Sequence, residues 1–100
     1  MVTLEDVKAA YARIRGSVVV TPCAHSETFS RLSGNNVHLK LENLQMTGAY
    51  KERGALNKIL TLTPAERERG LIAASAGNHA QAVSYHATQH GLTAQICASP

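Results

Sequence analysis

Apolar side chains recur at Leu4, Val7, Tyr11 and Ile14, the spacing of one helix face. Thr3 with Asp6 has the form of a capping box ahead of them, and Gly16 is placed to end the helix. The next stretch, "SVVVTP" (17–22), is β-branched and predicts an extended segment that Pro22 ends. Ser26 is set to cap a short helix through "ETFSRLS", closed by Gly34. The period then changes from helical to alternating. In "NVHLKLEN", Val37, Leu39 and Leu41 face one way and His38, Lys40 and Glu42 the other, which predicts a half-buried strand.

After a loop at 46–50, Leu56, Ile59 and Leu60 predict a helix running to about Leu62. "TPAERERG" supplies a capping Thr63, Pro64 at the first helical position, Glu66 at the third and Gly70 as a stop. "LIAA" (71–74) is a continuous apolar run suited to a buried parallel strand. A helix from about Asn78 to His90, closed by Gly91, leads to a further strand in "TAQICA". Strand, helix and strand within residues 71–98 make a βαβ unit, with a right-handed crossover expected. The class is α/β. The chain stops at "ASP", directly after a strand, and a parallel sheet wants more strands and covering helices than these. The ending is expected to be a cut.

Composition narrows the partners. The chain has 100 residues, 44% apolar and 17% charged, in the range of a small globular domain. Ten Lys and Arg against seven Asp and Glu give a net charge of +3, scattered and with only four aromatics. That is no nucleic-acid footprint. No segment approaches the length of a membrane span, and the charged, amphipathic N-terminus has no apolar core of a signal peptide. A cytoplasmic protein is expected, with Cys23 and Cys97 as free, buried thiols.

Two stretches carry candidate chemistry. "MTGAYKERGAL" (46–56) sets Lys51 behind Thr47 and Gly48, beside Tyr50, with Gly54 and Ala55 just after. Tyr50 offers a flat face for a ring, and the small residues admit a ligand to the backbone. Desolvation in such a pocket would lower the amine's pKa and make it a nucleophile toward an aldehyde. "ASAGNHAQAV" (74–83) ends a strand and opens a helix, the place where an α/β sheet offers backbone N–H groups to an anion. Gly77 permits the turn, while Ser75 and Asn78 add hydrogen-bonding side chains. Ordinary capping explains the same residues, since every such crossover needs a turn.

Together, "KLENLQMTGAYKERGALNKI" and "ASAGNHAQAV" resemble the threonine dehydratases (threonine ammonia-lyases), pyridoxal-phosphate enzymes of fold type II. The resemblance runs from about residue 5 to 98. It implies the N-terminal part of a tryptophan synthase β-like fold, a parallel sheet with flanking helices. It divides the chain into residues 1–45, the start of the larger lobe, and 46–100, the start of the smaller lobe. By the same resemblance the cofactor is pyridoxal 5'-phosphate, bound covalently by Lys51. Tyr50 lies near its ring, and Asn78 hydrogen-bonds the 3-hydroxyl. Ser75, Gly77, Asn78 and His79 receive the carboxylate of an amino-acid substrate. The freed lysine takes the α-proton, the β-hydroxyl leaves, and the product becomes a 2-oxo acid and ammonium. A homo-oligomer is implied. The glycine-rich loop for the cofactor phosphate and the partner of the pyridine nitrogen lie downstream in the family.

The chain departs from the family at Ala49, where many relatives have serine, and at Glu52, where they have an apolar residue. Similar serine racemases carry a serine at position 76, and Ala76 has no proton to give, which favours elimination over racemisation. Two alternatives stay open: another fold-type II enzyme such as a serine racemase, and a non-catalytic α/β binding module. His86 and His90, one helical turn apart, suit zinc, but surface histidines are the expectation without a further ligand. Glu42 and "ERER" (66–69) are expected to be solvated.

Overall fold

The computed structural model describes residues 1–98, so Ser99 and Pro100 of the expected second lobe lie outside the described residues. The described residues form five α-helices and four short strands. Helix α1 (Leu4–Ile14) starts at the Thr3–Asp6 capping box, and α2 (Glu27–Ser33) runs from the Ser26 cap to Gly34 at φ 69°. Strand β1 (Cys23–His25) pairs antiparallel with β2 (His38–Lys40), placing Cys23 opposite Lys40 and His25 opposite His38. A 3-10 turn at Glu42–Leu44 leads to α3 (Lys51–Leu60). The Thr63–Glu66 capping box and Pro64 then start α4 (Pro64–Arg69). Strand β3 (Leu71–Ala74), α5 (Asn78–Gln89) and β4 (Ala94–Cys97) form the expected βαβ unit, with β3 and β4 parallel.

The core sits where α3, α5 and the parallel pair meet. Ala55 of α3 and Ala82 and Val83 of α5 are buried against Ala73, with Leu71, Ala94 and Ile96 beside them. Alanine at the crossing lets the two helices approach closely, and each contact there is dispersion at short range. Leu56 and Ile59 extend this core on the same face of α3. Arg13 of α1 donates to the Asn57 side chain, which ties the first helix to α3.

Several expectations are corrected. The extended pairing lies at 23–25, after Pro22, rather than within 17–22. The Gln45 amide occupies both backbone groups of Val19, accepting its N–H at 3.0 Å and donating to its carbonyl at 2.9 Å. A side chain takes the place of a neighbouring strand there. The alternating strand is only half realised: Val37 and Leu41 are half-buried, while Leu39 and all of β1 are exposed. Only one face of β3 is covered, with Ala73 buried and Ile72 73% exposed. Of the α1 stripe, Ile14 alone is buried. Cys23 and Cys97 are free as expected, but exposed rather than buried.

Candidate functional site

Helix α3 opens with Lys51, and its start is fastened in an unusual way. Tyr50 occupies the cap position and gives no side-chain cap. Instead the carboxylate of Glu52 reaches back, and its Oε2 accepts the Thr47 amide at 2.9 Å and the Thr47 hydroxyl at 3.0 Å. Gly48, at φ 72°, turns the chain between them, a left-handed conformation that glycine adopts without penalty. The Lys51 amine stands 5.2 Å from the centroid of the Tyr50 ring, within cation–π range. Lys51 is exposed, so the described residues leave its amine in solvent rather than desolvating it.

The second element of the site is the turn from β3 into α5. Ser75 extends the ladder by donating its N–H to the Cys97 carbonyl at 2.9 Å. Its hydroxyl accepts the Gly77 N–H at 3.2 Å, which braces the turn and leaves the hydroxyl proton to donate. Gly77 caps α5 at φ −133°, outside the left-handed region, so backbone conformation is not what glycine supplies here. Nor does packing among the described residues require it: a Cβ added at Gly77 would meet nothing within 4 Å. The first bond closing on this cap runs from the Gln81 N–H to the Gly77 carbonyl, at 3.2 Å. The N–H groups of the turn before it have no intrahelical acceptor and carry the positive end of the helix dipole.

These two starts meet. Tyr50, Lys51, Arg53, Gly54, Ala55 and His79 line a cleft of about 320 Å³. A smaller recess of about 190 Å³ continues from Gly54, Ala55 and His79 along β3. Of the candidate residues, Lys51, Tyr50 and His79 share the cleft, whereas Ser75, Gly77 and Asn78 occupy the adjoining turn without lining it.

Arg53 is held in place from behind. Glu42 accepts its Nε at 2.7 Å and its second guanidinium nitrogen at 3.0 Å, and also accepts from Thr21 and Gln45. The Arg53 hydrogen bonds hold the Glu42 pKa down to about 2. Burial works against them, and the Thr21 and Gln45 donors and the Arg53 charge add to the lowering. Glu42 is therefore no free solvated carboxylate.

His86 is corrected as well: it is 2% exposed, not a surface histidine. Among the described residues no group of three metal-ligating side chains comes together, so the His86–His90 pair gains no third ligand. Glu52, His86 and the Glu42–Arg53 pair are what sequence reasoning missed. One signal was available. Glu52 lies on the same helical stripe as Ala55, Leu56 and Ile59, and a charge on a buried stripe needs a partner.

The chain as a whole matches known proteins. Residues 14–100 match the family "Pyridoxal-phosphate dependent enzyme". The L-threonine ammonia-lyase of Thermotoga maritima is 49% identical over 96 residues, 96% of this chain and 24% of that protein. The serine racemase of Dictyostelium discoideum superposes with a TM-score of 0.89 at 38% identity, over 97% of this chain and 32% of its own. The threonine deaminase from T.th. superposes at 0.83 with 41% identity, over 97% and 30%. The chain thus spans 24–32% of the length of these relatives. It belongs to the fold-type II pyridoxal-phosphate dependent enzymes and is homologous to the N-terminal portion of the threonine dehydratases.

Proposed function

We propose that this chain carries the lysine-bearing part of an enzyme that dehydrates and deaminates L-threonine, and L-serine, to a 2-oxo acid and ammonium. The observation that carries the reading is the shared cleft, which has the Lys51 amine at one side and the start of α5 at the other. Its walls suit pyridoxal 5'-phosphate. Tyr50 gives a flat apolar face, Gly54 and Ala55 leave room at the backbone, and the space over Gly77 is open. In this reading Lys51 holds the cofactor through its amine, Tyr50 lies against the ring and Asn78 hydrogen-bonds the ring hydroxyl. When bound, the cofactor supplies an electron sink for charge developing at the substrate α-carbon.

The chain's own residues do the rest. The N–H groups at the start of α5, with Ser75, Gly77 and His79 around them, bind and orient the substrate carboxylate. Lys51 Nζ would take the proton from the substrate α-carbon. The Tyr50 ring beside it lies within cation–π distance of that amine. Ala76 offers no acid for return of the proton from the other face, which leaves loss of the β-hydroxyl as the outcome. We place the lobe junction at 45/46, so that Lys51 lies just inside the smaller lobe. The phosphate and ring-nitrogen contacts belong to sequence beyond this chain.

The test is turnover in the protein of full natural length. L-Threonine should release ammonium and a 2-oxo acid, and Lys51→Ala should remove nearly all of it. A wild type that racemises serine faster than it deaminates would favour the racemase reading, which the 0.89 superposition keeps in view.

A further inference from the structure

Two ionisable side chains that do not line the cleft have almost no contact with solvent. Glu52 is 0% exposed and His86 2%. One Glu52 oxygen is engaged by Thr47, as described above. The other, Oε1, stands 3.9 Å from His86 Nε2, and neither atom has a hydrogen-bond partner among the described residues. An orphaned carboxylate oxygen is expensive to bury, as is an orphaned ring nitrogen, unless each serves the other. The ring has a proton for that purpose. Burial lowers the His86 pKa, with the Glu52 charge opposing and His90 adding to the lowering. A neutral imidazole keeps one N–H, and Glu52 Oε1 is the acceptor that faces Nε2. Arg53 feels the Glu52 charge from the same helix, and the Tyr85 ring stands edge-on to His86 at 4.9 Å.

The placement of this pair matters more than its strength. Glu52 follows Lys51 directly and pins the turn that leads into it. His86 belongs to the helix that begins at Asn78. Neither helix start has a side-chain cap of its own, since Tyr50 and Gly77 make none. We propose that Glu52 and His86 are positioning residues. Their buried contact fixes the Thr47–Tyr50 turn, and with it the direction in which Lys51 leaves α3, relative to the start of α5. The proposal rests on the reading in which Lys51 and the start of α5 act on one ligand.

A double variant separates positioning from simple core stability. Replacing both halves of a buried pair with apolar residues of similar size is often neutral for stability, whereas removing one half is not. In the full-length protein, Glu52→Leu with His86→Leu should keep a thermal midpoint close to wild type, because water can reach the half-buried Thr47 and replace Glu52 as its acceptor. The Thr47 amide, having lost its acceptor, should exchange its hydrogen roughly tenfold faster or more. Its kcat should fall roughly tenfold to a hundredfold, with KM moving less than about threefold, because a misaimed amine affects the reacting geometry more than binding. Glu52→Gln keeps an acceptor for Thr47, and its amide N–H can serve His86 Nε2 once the neutral ring moves its proton to Nδ1, so it should retain both Thr47 protection and kcat. Unchanged Thr47 exchange in the double variant would overturn the proposal, as would kcat recovering together with the thermal midpoint.

If the wild type neither binds cofactor nor turns over threonine, the functional reading fails, and the exchange measurement still decides the pair. Should the double variant not fold, Thr47→Val removes one hydrogen bond to the same oxygen. It should lower kcat severalfold at an unchanged midpoint, and wild-type kcat there would overturn the proposal.

Discussion

Glu42 shows how a single side chain joins the parts of this chain. Its carboxylate meets Arg53 of α3, Thr21 ahead of β1 and Gln45 beyond the 3-10 turn. The folded pKa of about 2 lies below the ordinary 4.5. A depressed carboxylate stabilises the fold fully above its unfolded pKa and loses that contribution as pH falls through the folded one. Wild-type stability should therefore decline between about pH 4.5 and 2, by roughly 3 kcal/mol at most from this group, at about 1.4 kcal/mol per unit. Glu42→Gln should be less stable at neutral pH and should lack that part of the acid transition. Chemical denaturation across pH measures both. Such a pair is hard to read from sequence, because Glu42 and Arg53 lie eleven residues apart across a loop and share no period. Glu52 and His86 were more legible, since each falls on a stripe of buried residues. What the stripe does not give is the partner, which depends on how two helices cross.

Local signals set the elements, so helix starts and stops were well legible. The Thr3 and Thr63 capping boxes, the Ser26 cap and the closures at Gly34 and Gly91 depend on residues within one turn of each other. Strand positions were less legible. Where 17–25 becomes a strand is decided by β2 across from it and by the Gln45 side chain, both distant in sequence. The glycines give a test at this scale. Gly70 sits at φ 78°, and a Cβ there would come within 2.7 Å of the Thr93 carbonyl oxygen. Gly70→Ala should lower stability by at least roughly 1 kcal/mol through the positive-φ backbone alone. Gly54 lies inside α3 with nothing within 4 Å of an added Cβ. Gly54→Ala should instead raise stability by roughly 0.5–1 kcal/mol, from helix propensity. Thermal midpoints of the two variants moving the same way would contradict this account of the two sites.

At the scale of the whole molecule, these 98 described residues are spread out. The radius of gyration is 16.2 Å, against about 13 Å for a compact chain of 100 residues. Val20, Phe29, Leu32 and Ile72 are exposed, and each of the two sheets has only two strands. Open strand edges and uncovered apolar faces favour association. Residues 1–100 alone should therefore give a solution mass above that of a monomer, and release no more ammonium from threonine than free cofactor does. Light scattering and an ammonium assay on one sample check both; an active monomer would contradict them. The central claim, that Lys51 is the residue that holds the cofactor, has a more direct test. The full-length protein is loaded with pyridoxal 5'-phosphate, reduced with borohydride and digested, and the pyridoxyl label is mapped by mass spectrometry. The label should fall on the peptide containing Lys51; a label on Lys40 or Lys58, or no stable label at all, would contradict it.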